Sequence, residues 1–280
     1  MPYRPGKGLG KVGAALIAAL LFFAGCRSIP REAAAYVAPL PPEAVLTASL
    51  HAGSLPPGLE NSIFRVYGDD IAGIMKRTAE LNLSLFDDGA AELLLEGNFP
   101  RFRTSLALGF SRSWELTGRN PDTWTLREAD AQVSLPEGGT LLFSSLGTDR
   151  ILRAWEDRFE RGLVRENDLV ILIPEMKNFS PGLPLGGECR IVGTWRETDL
   201  ELSFLWRFED ARQARTALPL AKLLLWGFMK GLDPDFDRRT LSSRIDGAEV
   251  QIGGIRMNPG SIEQLLTEYV DLQAWGRIGS

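Results

Sequence analysis

The chain has 280 residues, 44% of them hydrophobic, with a formal net charge of −5, one histidine and two cysteines. An acidic chain with no evident basic face is not built to neutralise phosphates, which excludes nucleic acid as a partner. One histidine and two cysteines cannot build the His-rich or Cys-cluster zinc sites, so no metal and no cofactor is expected.

The first element is an export signal. Arg4, Lys7 and Lys11 form a positive head, and Val12 to Ala24 follows without a charge. That apolar run is shorter than the roughly 20 residues a helix needs to span a bilayer. It ends in Phe23-Ala24-Gly25-Cys26. Ala24, Gly25 and Cys26 resemble the lipobox of bacterial lipoproteins, in which a cysteine is lipidated and becomes the new N-terminus. Phe23 departs from the usual Leu, and the relaxed lipoboxes of spirochaetes tolerate bulky residues there. The resemblance implies a signal peptide over 1–25, acylation of Cys26 and localisation in the cell envelope. Arg27 is not the Asp that often retains lipoproteins at the inner membrane. The expected site is therefore the outer membrane facing the periplasm, the alternative being the outer leaflet of the inner membrane. Loss of the signal removes three basic residues and no acidic one, so the net charge falls from −5 to −8. Cys189 is then the remaining thiol, and the core must hold by packing rather than by an internal disulfide.

Residues 26–42 carry the lipidation site and a stretch rich in Ala and Pro, which reads as a tether. From Glu43 onward strands and helices alternate. Ala44 to Leu50 reads as a strand and Ile63 to Ala79 as a helix. Leu81 to Phe86 and Ala91 to Phe99 form a hairpin about Asp87-Asp88-Gly89, the strongest turn signal in the chain. A short helix from Phe102 to Phe110 follows. Strands at Thr123 to Glu128, Ala131 to Leu135 and Thr140 to Ser144 then lead to a helix from Asp149 to Arg161.

The second half repeats this order. Leu169 to Ile173 is a strand, Arg190 to Arg196 and Leu200 to Phe208 form a hairpin, and a helix follows. Ala248 to Ile252 matches Ala131 to Leu135, and Ile262 to Leu272 matches the helix that starts at Asp149. The pattern predicts an α+β fold with a largely antiparallel sheet, helices packed on one face, and a pseudo-duplicated β-(α)-ββ-α-ββ-α unit. The two repeats would span 43–163 and 164–280.

The helix from Ala217 to Leu232 reads ALPLAKLLLWGFMKGL. Lys222 and Lys230 lie about 80° apart on it, and over roughly 200° of its circumference carries no charge. A helix of this kind is either buried on nearly all sides or bedded in a lipid interface. At about 24 Å it is short of a bilayer span, and Trp226 and the lysines suit a headgroup boundary. Leu220, Lys222, Leu223, Leu224, Trp226, Phe228, Met229 and Lys230 are the candidate lipid-contact residues. With the lipobox and the chain length, this helix resembles spirochaetal outer-membrane-associated lipoproteins, whose α/β bodies carry amphipathic helices able to enter a leaflet. No motif of the body carries that resemblance.

No catalytic constellation emerges. His51 is alone, no Gly-x-Ser-x-Gly elbow is present, and Gly186-Gly187 and Gly253-Gly254 lack the spacing of phosphate loops. Asp233, Asp235 and Asp237 alternate like calcium ligands, but Arg238 and Arg244 stand where the loop requires Gly and Glu. Asp69-Asp70 and Asp87-Asp88 would serve glycoside hydrolysis only if folding brought them together. Three readings follow: a non-enzymatic, lipid-anchored envelope protein whose partner is membrane lipid; an adaptor for another envelope protein; and a carboxylate-dependent hydrolase.

Overall fold

The computed structural model describes residues 36–37, 41, 43–52, 77–88, 90–127, 131–161, 163–164, 167–179 and 185–269. The elements in order are β1 (Tyr36–Val37), β2 (Leu46–His51), β3 (Thr78–Leu85), β4 (Ala91–Gly97), α1 (Arg101–Phe110), β5 (Trp114–Arg119), β6 (Asp122–Leu126), β7 (Gln132–Leu135), β8 (Thr140–Ser144) and α2 (Asp149–Arg161). There follow β9 (Leu163–Val164), β10 (Leu169–Ile173), α3 (Met176–Phe179), β11 (Glu188–Arg196), β12 (Asp199–Arg207), α4 (Ala211–Leu232), β13 (Ser242–Asp246), β14 (Glu249–Met257) and α5 (Pro259–Tyr269).

Twelve strands form one antiparallel sheet in the order β13-β14-β12-β11-β10-β2-β3-β4-β8-β7-β6-β5. Read outward from the β10–β2 pair, both directions run through a strand, a hairpin and then strands reached after a helix, four of them (β8-β7-β6-β5) on the β2 side and two (β14-β13) on the β10 side. The duplication read from sequence is visible in this order, with one correction. β14 pairs with β12 as β8 pairs with β4, so the counterpart of Ala248 to Ile252 is Thr140 to Ser144, and Ala131 to Leu135 corresponds to β13. The shared Ala-x-Val signature had aligned the wrong members of two adjacent strand pairs.

Alternation sets the two faces of the sheet. Ala48, Leu50, Leu81, Leu83, Leu93, Leu95, Ile171, Ile191, Leu202, Phe204, Val250 and Ile252 are buried on one face, together with the inner stripe of α4. The opposite face carries a smaller cluster, Leu94, Leu142 and Ile151, beneath α2. α1 lies on the α4 face, because Trp124 beneath it stands opposite Val133, Val133 opposite Phe143, and Phe143 opposite Leu93.

Several expectations shift. β5 and β13 were not read from the sequence: β5 offers only the short Trp114-Glu115-Leu116-Thr117 alternation up to its bulge, and β13 is an edge strand whose side chains are mostly exposed, without the apolar alternation of a half-buried strand. The helix expected from Ile63 lies outside the described residues except at its end, where Thr78 and Ala79 are already strand. Tyr36–Val37, inside the expected tether, pairs antiparallel with β9. Cys26 and the signal lie outside the described residues.

Candidate functional site

α4 begins at Asp210, whose carboxylate accepts from the Gln213 N–H at 2.7 Å. This satisfies one of the open donors of the first turn. Its inner stripe of Ala214, Ala217, Ala221, Leu225, Met229 and Leu232 is buried against the sheet. The three alanines let the helix backbone approach the strands closely. Leu220, Leu224, Trp226 and Phe228 are half-buried and packed against the same core. Lys222 Nζ donates to the Leu241 carbonyl at 2.9 Å, and Lys230 Nζ donates to the Pro234 carbonyl. Of the proposed lipid-contact residues, Met229 is therefore turned into the core, the lysines are folded back onto the following chain, and Leu223 alone is exposed, at 47%. The charge-free arc of this helix mostly covers the protein's own sheet.

α1 is different. None of its residues is buried, yet Phe102, Leu106 and Phe110 recur at four-residue spacing along one face. Phe102 is 76% exposed and Phe110 79%. What holds the helix is small. A Cβ placed on Gly109 would lie 3.2 Å from the Trp124 ring, so glycine lets the helix seat on that tryptophan. Arg101 Nε and Ser105 Oγ both donate to Asp122 Oδ2, at 3.2 and 3.1 Å. The Arg101 hydrogen bond, reinforced by Ser105 and by the arginine charges, holds the Asp122 carboxyl below the usual carboxylate range. Leu116 on β5, 38% exposed, stands opposite Trp124 and extends the apolar surface. Sequence reasoning missed this face, although the Phe-x-x-x-Leu-x-x-x-Phe spacing was there to be read. α1 and α4 occupy equivalent places in the two halves, each following the second strand of its hairpin.

The remaining candidate groups have local structural roles. His51 Nδ1 is hydrogen-bonded to the buried Glu80 carboxylate. Asp88 accepts the Ala90 N–H at 2.8 Å within its turn. Asp233 and Asp237 accept the N–H groups of Asp235 and Arg239, both at 2.9 Å. Asp69-Asp70 lies outside the described residues. Gly187 and Gly254 have φ of +90° and +78°, and a Cβ at either would lie about 2 Å from a backbone carbonyl oxygen. Among the described residues no group of His, Cys, Asp and Glu is placed to hold a metal ion.

Cys189 is buried, and desolvation, with the Glu188 charge adding to it, pushes its thiol up to about 12. At neutral pH the thiol stays protonated and poorly nucleophilic. Maleimide is therefore expected to label Cys189 only when the protein unfolds; labelling of the native protein within minutes would show that β11 opens.

No protein-family model matches this sequence, and a search of curated proteins finds no relative. The fold, however, is similar to that of TP0453, a Treponema pallidum protein, solved in several crystal forms. Crystal form I superposes with a TM-score of 0.56 at 13% identity, covering 87% of this chain and 99% of that one. Form III gives 0.55 at 14% identity, with 86% and 98% covered, and form IV gives 0.53 at 15%, with 80% and 93% covered. At such identity the likeness is one of fold, extending over nearly the whole of TP0453. Among the described residues no helix is long and apolar enough to cross a membrane.

Proposed function

We propose that this chain is a non-enzymatic envelope lipoprotein, anchored through Cys26, whose α1–α4 face rests on membrane lipid. The observation that carries the reading is the stripe of Phe102, Leu106 and Phe110 on a helix with no buried residue. Water-exposed phenylalanines on an ordered helix are costly to leave uncovered, and burying each in an apolar phase yields about 1.5–3 kcal/mol. Leu116, opposite Trp124 beside α1, widens the contact, and Leu223 adds a separate exposed leucine on α4. Acyl chains at Cys26 would supply the anchor, at about 0.8 kcal/mol per buried CH₂, and the helix would set how the body lies on the surface. The membrane is the outer membrane on its periplasmic side; the outer leaflet of the inner membrane is the alternative.

The test is partition of the unlipidated chain starting at Arg27 between buffer and liposomes. Binding without the acyl anchor is the expected result. A chain that stays wholly in the buffer would instead assign the stripe to an envelope protein, to be sought as a stoichiometric partner. The hydrolase reading ranks last, since the Asp87-Asp88 pair is taken up by a turn.

A further inference from the structure

The two ends of the sheet are finished differently. At one end β5 carries a bulge, with Thr117 left out of register between Leu116 and Gly118. Such irregularity twists an edge away from further pairing. At the other end β13 pairs with β14 without a break, from Ser242 opposite Gly253 to Asp246 opposite Glu249. The duplicated strand order sharpens the contrast: β7, the counterpart of β13, is covered by β6, whereas among the described residues nothing lies beyond β13.

The hydrogen-bond phase of that edge follows from its neighbours. Phe208 N–H donates to the Ala248 carbonyl at 2.9 Å, so the alternate residues Ala248, Val250 and Ile252 spend their backbone groups on β12. Glu249 and Gln251 then face β13 and engage Asp246 and Arg244. The N–H and C=O groups of Ser243 and Ile245 are consequently the ones turned to the open edge. Beside them Arg244 and Asp246, two residues apart on one face and 75% and 79% exposed, form a 3.5 Å surface ion pair with each other, a weak contact that a second copy can replace with the cross-strand pairing.

We propose that β13 is a self-association edge, along which a second copy of this chain pairs antiparallel about a two-fold axis at Ile245. In that register the Ile245 N–H of each copy donates to the Ile245 carbonyl of the other. Arg244 falls opposite Asp246 of the second copy, and the pair recurs by symmetry. The closely spaced, non-hydrogen-bonded positions are the ones the charges occupy, where side chains approach best. Centring the axis on Arg244 or Asp246 would oppose like charges and present backbone groups already used on β14. The charge pattern and the hydrogen-bond phase select the same register. α1 lies at the far end of the sheet, so this contact leaves the lipid-facing stripe free and does not depend on it.

The test is the mass of the full chain in non-ionic detergent by sedimentation equilibrium over a concentration series, with thermal melting as the folding check. A monomer–dimer equilibrium is expected. Arg244→Asp and Asp246→Arg should each weaken it about tenfold or more, because each substitution opposes two pairs of like charges. The Arg244→Asp, Asp246→Arg double variant should return to near the parent. Ser243→Pro, which removes an outward N–H and no bond to β14, should weaken dimerisation without lowering the melting temperature. A parent that is monomeric throughout, or a double variant as weak as the single ones, would overturn the proposal.

Discussion

Phe102→Asp combined with Phe110→Asp is expected to lower liposome partition of the unlipidated chain about a hundredfold or more, since two phenylalanine insertions at 1.5 kcal/mol or above are lost. Because these side chains are 76% and 79% exposed, the folded protein should keep its melting temperature. Leu223→Asp removes a single side chain that is 47% exposed and should cost less, about tenfold. Sedimentation with liposomes, at one lipid concentration series for the parent and both variants, gives the comparison. Equal binding by the parent and the double variant would remove α1 from the contact. Loss of binding by Leu223→Asp alone would restore α4 to the place first inferred for it. Met229 should be avoided in such tests, because a charge at a residue 1% exposed would report on folding only.

The second large effect concerns α2. Arg150 Nε donates to Glu92 Oε1 at 3.0 Å, and its guanidinium sits 4.2 Å above the Phe86 ring. Glu92 is itself 3% exposed on β4, with Ser144 Oγ at 3.4 Å as a weaker donor. This ion pair fastens α2 over Leu94 and Leu142. Arg150→Ala leaves a buried carboxylate without its cation, a defect that costs about 2–4 kcal/mol after allowance for the partly exposed arginine. Urea denaturation would show this as a lower midpoint at an unchanged slope. Adding Glu92→Leu to Arg150→Ala should recover much of the loss, since the stranded charge then goes too. A change below about 0.5 kcal/mol for Arg150→Ala would mean that Glu92 is compensated by other groups.

Much of the architecture was legible because burial imposes a period. β8, α2 and β10 run over the residues their pattern predicted, and the hairpins around Asp87 and Glu197 are where alternating apolar runs and turn residues placed them. β13 was illegible for the converse reason: Ser242-Ser243-Arg244-Ile245-Asp246 touches the core only through Ile245, so most of its side chains obey no inside-outside rule. The candidate surface split the same way. Both α1 and α4 show apolar spacing in the sequence, but spacing does not say whether the sheet or the solvent receives the apolar side.

Pattern in the linear chain was sufficient for the α+β class, the antiparallel hairpins and the repeated order of elements, because each depends on residues close in sequence. Tertiary structure alone decided that α4 spends most of its apolar surface on the sheet while α1, its counterpart, turns Phe102 and Phe110 outward. It likewise decided that Arg150 lies against Glu92, and that β13 is an edge. These outcomes depend on which strands become neighbours, and neighbours such as β10 and β2, brought together from the two halves of the chain, are chosen by the burial of all faces at once rather than by any local segment.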